Sequence, residues 1–197
     1  MSDSLVASGN VLHTLKIVRV MRQELGGKTR FSPLVIERHA GEFADMQELM
    51  RYARMGASVR VAALAFNDKQ SWEGLVTANV LMAAYIVCQN IGHLTADVLA
   101  EVIAGEVVEL VGHERWGLDD CDEATQIEGK NLYTTQLDKQ GMSVWVVSWV
   151  QRMRINTPIS ESELDDFLRL YLEQHLGDGA PINAADINVR ETQRETS

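Results

Sequence analysis

Five histidines and two cysteines are the side chains of this 197-residue chain best suited to metal binding or nucleophilic attack. They are His13, His39, His93, His113 and His175, with Cys88 and Cys121, and none stands at a ligand spacing. No HExxH helix pair, CxxC clip, GxSxG elbow or GxGxxG turn occurs. Gly26-Gly27-Lys28-Thr29 suggests a phosphate loop, but the first glycine of GxxxxGK[ST] would fall on Arg22, and the motif follows a helical pattern instead of a strand. The carboxylates Asp119, Asp120, Asp122 and Glu123 suggest a calcium loop. Whichever Asp is taken first, the glycine at the sixth position and the glutamate at the twelfth are missing. Trp145 and Trp149, near Arg152 and Arg154, have the residue types of a base-stacking platform. A net charge of −10 opposes that use, because gripping phosphates needs clustered Lys and Arg. The expectation is therefore a protein that is not an enzyme, with no catalytic residue, no cofactor and no metal.

The elements that would position these residues can be read from periodicity. Asn10 caps a helix to about Leu25, with Val11, Leu15, Val18 and Leu25 on one side, and Gly26-Gly27 ends it. Pro33–Glu37 reads as a short strand, Met46–Met55 as a short helix or ordered loop, and Ser58–Phe66 as a central strand. Leu75–Gln89 is apolar almost all round and rich in Ala, which predicts a buried helix. It is too short and too interrupted to cross a bilayer, and no basic, apolar leader precedes it, so no membrane or signal segment is expected. Leu94–Val111 predicts an amphipathic helix that buries Val98, Leu99, Val102, Ile103, Val107, Leu110 and Val111. Asp97, Glu101 and Glu109 form an acidic row on its other side.

The most specific stretch runs from Ala124 to Ile155. Ala124–Gln136 predicts one strand, Asp138-Lys139-Gln140-Gly141 has the residue types of a type I turn, and a Val- and Trp-rich strand follows. On that strand Met142, Val144, Val146, Ser148 and Val150 share one face, while Trp145, Val147, Trp149 and Met153 share the other. Both faces are apolar, so the strand must be covered on both sides. Beyond Thr157-Pro158, the capping box Ser160-Glu161-Ser162-Glu163 opens a helix with Leu164, Phe167, Leu168, Tyr171 and Leu172 in one stripe. Three segments are expected: a domain over 10–156, a helical arm over 157–177 and a polar tail over 178–197.

This hairpin carries Asn131-Leu132-Tyr133, Leu137-Asp138, Gly141 and Ser143-Val144-Trp145 with the alternating strand to Gln151, after a starting helix, an extended strand and two helices. In these residues and this order the chain resembles the tail-completion, or tail-terminator, family of Mu-like and related long-tailed phages. The resemblance implies an α/β (α+β) fold with a mixed, largely antiparallel sheet flanked by helices, here extended by a C-terminal helical arm. It further implies a structural virion protein, assembled in the host cytoplasm, whose hexameric ring caps the head-proximal end of the tail tube. The partners would be other copies of the chain, the tail tube protein, the head connector and DNA that passes without specific binding.

On this reading Asn131, Leu132, Tyr133, Leu137 and Asp138, and the stripe Leu164, Phe167, Leu168, Tyr171 and Leu172, are the expected interface residues. Asp119, Asp120, Asp122 and Glu123 are the expected acidic wall of the lumen. Other classes make different expectations. Another head–tail joining or neck protein would share the ring, an enzyme would need a deep pocket of His and carboxylates, and an acidic host-directed nucleic-acid mimic would gather its carboxylates on one convex face.

Overall fold

In the computed structural model, which describes residues 9–156 apart from Thr29, Arg30, Ser32, Ala44, Asp45, Arg54, Met55, His93 and Tyr133, five strands form one mixed sheet. The elements follow as α1 (Gly9–Glu24), β1 (Leu34–Arg38), α2 (Met46–Ala53), β2 (Ala57–Trp72), β3 (Leu75–Gln89), α3 (Ala96–His113), β4 (Thr125–Asn131), α4 (Thr135–Lys139) and β5 (Met142–Arg154). The sheet order is β1-β2-β3-β5-β4, with β1 parallel to β2 and every other pair antiparallel. This is the mixed, largely antiparallel α+β fold expected.

The register explains why the three central strands are so apolar. Val59, Ile86 and Trp145 align across β2, β3 and β5, as do Val61, Ala84 and Val147, and all point to one face. That face is covered by Ile17, Val18 and Met21 of α1, by Leu25 just after it, and by Leu99, Ile103, Val107 and Val111 of α3. The opposite face carries Val87, Val144 and Met142 under α2, α4 and the neighbouring loop, through Leu49, Met50, Leu137 and Phe43. β5 is thus covered on both sides with the two sets of residues that its alternation predicts.

Leu75–Gln89 is a strand, not a helix. A strand with neighbours on both edges and layers on both faces has no wet side, so its sequence loses the alternation that marks a half-buried strand. Its β-branched Val76, Thr77, Val80, Ile86 and Val87 suit the pleat. The local cue is Glu73-Gly74, both left-handed (φ 47° and 80°), which form the two-residue turn that joins β2 to β3. β2 also runs past Phe66 to Trp72, with bulges between Ala63 and Ala65 and between Asn67 and Gln70, where Asp68 takes φ 48°.

Three smaller expectations are also corrected. α1 starts at Gly9, so Asn10 lies inside its first turn and its Oδ1 is buried without a partner among the described residues. On α3, Val98 and Val102 are exposed (49% and 44%), and Ala96, Ala100 and Ala104 take the sheet side. Small side chains let the helix axis approach a sheet already filled by Trp145 and Trp149, which turns the larger valines outward. In the closing hairpin β4 ends at Asn131, and α4 occupies Thr135–Lys139, with Thr134 Oγ1 accepting from the Leu137 N–H at 3.2 Å. The expected turn survives as the end of that helix, the Gly141 N–H donating to the Asp138 carbonyl at 2.9 Å. Gly141 has φ 64°, and a Cβ there would stand 2.9 Å from Asn90 Nδ2, so both backbone and space call for glycine.

Candidate functional site

Three features of this sheet face outward or hold a loop outward. The first is the β2–β3 arm. From Ala65 onward β2 is exposed while β3 beside it stays paired with β5 and buries Ala78 and Val80, and Phe66, Trp72 and Leu75 are 53%, 75% and 38% exposed. The tip is not loose. Asn156, after β5, accepts from the Val76 N–H at 2.9 Å and donates to the Gly74 carbonyl at 2.8 Å. Arg152 ties Asp68 (3.0 Å) and Asn79 (3.3 Å) across the arm. A large indole held on a braced hairpin and left in water is a feature that contact with a partner would explain.

The second feature is the acidic loop between α3 and β4, held from below by one residue. Gln151 is fully buried and lies on the Trp face of β5. Its Oε1 accepts from Trp116 Nε1 (2.8 Å) and Trp149 Nε1 (3.1 Å), and its Nε2 donates to the carbonyls of Asp122 (2.7 Å) and Glu114 (3.3 Å). Both ends of the loop are pinned to one amide. Between them Trp116 and Gly117 are both left-handed (φ 61° and 64°), and the Leu118 N–H closes the turn on the Arg115 carbonyl at 3.0 Å. Left-handed backbone is unfavourable for a tryptophan, and the buried indole with its hydrogen bond compensates.

The four carboxylates of the loop do not share one role. Asp120 turns inward, its Oδ1 3.2 Å from Nε2 of the buried His13 on α1. Glu123 pairs with Arg115 at 2.8 Å in solvent, a weak contact by its exposure. Asp119 and Asp122 are exposed. The loop is therefore an anchored acidic surface of three outward carboxylates, one of them paired with Arg115, in place of a uniform cluster of four.

The third feature is the pair of helix surfaces on the main core face. α3 exposes Asp97, Glu101 and Glu109 beside Val98 and Val102, and α1 exposes Leu15 and Arg19. The Asp97 carboxyl is held below the usual range by hydrogen bonds from the Thr95 side chain and the Val98 N–H, as suits an acid in the first turn of a helix.

Of the residues expected at an interface, Asn131 and Asp138 are exposed, Leu132 is half-buried, and Leu137 is buried against Met142 and Val144 of the same chain. Leu137 thus supports the surface from beneath. Tyr133, Leu164, Phe167, Leu168, Tyr171 and Leu172 lie outside the described residues, as do the helical arm and the polar tail. Sequence reasoning missed Gln151, Trp116 and the arm. The signal for Gln151 was a lone polar residue in phase with Trp145, Val147, Trp149 and Met153.

Other polar groups are engaged in packing. Arg60 is buried on the second face, ion-paired with Glu37 and stacked 3.9 Å from the Tyr52 ring centroid, while His39, Phe43, Tyr52 and Tyr85 form an aromatic cluster beside it. A recess of about 140 Å³ is lined by Met50, Ala53, Gln89, Gln140 and Met142, none of them a histidine or carboxylate. Among the described residues no group of three or more His, Cys, Asp and Glu could hold a metal ion, and no helix is long and apolar enough to cross a membrane.

Burial pushes the thiols of Cys88 and Cys121 up to about 12, and Asp120 and Asp122 add to the rise at Cys121. A raised thiol makes less thiolate, so both should resist alkylation by iodoacetamide at pH 8 until the protein is unfolded in urea. The linkage has one sign: the contribution is complete below the unfolded thiol value near ~8.5 and is lost as pH rises toward about 12. Rapid labelling of the folded protein at pH 8 would show that the core opens easily.

No protein-family model matches the chain, and no curated protein matches it.

Proposed function

We propose that this chain is a structural phage protein that caps the head-proximal end of a tail tube as a closed ring, stops its growth and forms the joint to the head connector. The observation that carries the reading is the braced β2–β3 arm, which presents Trp72 and Leu75 to solvent on one face and Phe66 on the other, on a sheet otherwise well filled. Exposed apolar side chains of this size serve assembly better than catalysis. The resemblance to tail terminators adds the kind of assembly. It now rests on the β4–β5 hairpin with its turn at Gly141 and on the starting helix, since the element after β2 is a strand where the order had placed a helix. Asp119, Asp122 and Glu123 are the outward carboxylates of the loop, suited to a lumen wall that passes DNA without holding it.

The test is native mass spectrometry of the full chain, alone and mixed with tail tube protein. A closed oligomer of one defined stoichiometry, with tubes capped at one end under the electron microscope, is the expected result. A monomer at every concentration, with tubes that go on growing in its presence, would overturn the reading.

A further inference from the structure

We infer that copies of this chain join head to tail through the exposed face of α1 on one copy and the exposed face of α3 on the next. The inference rests on the ring reading and names the surface that would close the ring. Both helices cover the same face of the sheet but lean toward opposite ends of the strand order, α1 chiefly against β1 and β2 with a smaller contact to β5, and α3 against β5, β3 and β4. A closed ring with one contact repeated around it needs two different patches on each subunit, placed so that each copy offers one and receives the other. The two helix faces meet that need.

Their chemistry is complementary. The exposed face of α3 holds Val98, Val102 and Val108 with Asp97, Glu101 and Glu109, and α3 contains no lysine or arginine. α1 has Leu15 and Arg19 exposed and Lys16 half-buried, with Glu24 at its end as its sole carboxylate. Neither Arg19 nor Lys16 pairs with a carboxylate, and neither Glu101 nor Glu109 pairs with a cation, among the described residues. α3 thus sets three exposed valines among negative charges, and α1 sets Leu15 among positive ones. Opposite signs select the α1–α3 pairing over α1–α1 or α3–α3, which would join copies two-fold and stop at a dimer.

The experiment uses two full-length variants and their mixture. One is Lys16→Glu with Arg19→Glu, and the other is Glu101→Lys with Glu109→Lys. Each alone sets like charges against one another, so the protein concentration for half-assembly in sedimentation velocity should rise about tenfold or more. Mixed in equal amounts the two should assemble again near the parent concentration. In an alternating ring every contact then joins one acidic and one basic helix. The recovery also shows that both variants are folded. Parent-like assembly of either variant alone, or a mixture no better than its parts, would overturn the α1–α3 contact while leaving the ring reading intact. A parent chain that stays monomeric, with tubes uncapped, would remove the ring and this contact together.

Discussion

Replacing Gln151 by methionine should lower the urea midpoint of unfolding by about 1.5–2.5 M. Methionine keeps the length and flexibility of the side chain but supplies none of its four hydrogen bonds. Two buried indole N–H groups, on Trp116 and Trp149, and two loop carbonyls, on Glu114 and Asp122, lose their partner at once. Each buried polar group left unmade costs ~1–3 kcal/mol, and partial hydration of the carbonyls brings the sum to about 3–5 kcal/mol. At a urea dependence of ~2 kcal/mol per molar, that loss is the stated shift. The left-handed backbone at Trp116 adds to it, because the indole is what holds that turn closed. Red-shifted tryptophan emission below the transition and early cleavage between Glu114 and Glu123 should accompany the shift. A midpoint moved by less than ~0.5 M would mean that water already shares these bonds and that the acidic loop is not anchored.

How much of this was legible depends on how local the cause was. The two faces of β5 could be read because alternation is written in adjacent residues, and the turn at Gly141 because Asp and Gly stand at fixed offsets. β3 was misread because its cause is not local. A strand between β2 and β5, buried on both faces, is apolar for reasons that lie tens of residues away, and only Glu73-Gly74 marked the reversal. On α3, Ala and Val both fitted an apolar stripe, and the space under the helix chose alanine. The Gln151 knot joins positions 114, 116, 122, 149 and 151 through two backbone carbonyls, which no side-chain pattern records. The arm was hidden for another reason. Asn67-Asp68-Lys69-Gln70-Ser71 has the composition of a loop, because here the strand lies in water and is held by its register with β3.

That same exposure sets the second large effect. On the proposed capping role, Phe66→Ser combined with Trp72→Ser should leave the monomer as stable as its parent, within about 1 kcal/mol, while capping of tail tubes falls by about a hundredfold or more. The stability side follows from burial: both rings are mostly in water already, so removing them takes little apolar surface out of the folded state. The binding side follows from the opposite circumstance. A tryptophan that becomes enclosed in a partner is worth ~2–4 kcal/mol, enough for the stated loss in affinity. The arm is braced by Asn156 and Arg152, so little ordering has to be supplied on docking, which strengthens the case for it as the anchor. Thermal unfolding measures the first half of the prediction, and counting capped tube ends by electron microscopy at graded protein concentration measures the second. The two halves separate the outcomes. Loss of capping together with loss of stability would make the aromatic pair part of the fold, and undiminished capping by a stable variant would move the tube contact elsewhere on the molecule. Capping lost from a stable chain that still forms rings would assign the arm to the tube and leave the subunit contacts to other surfaces.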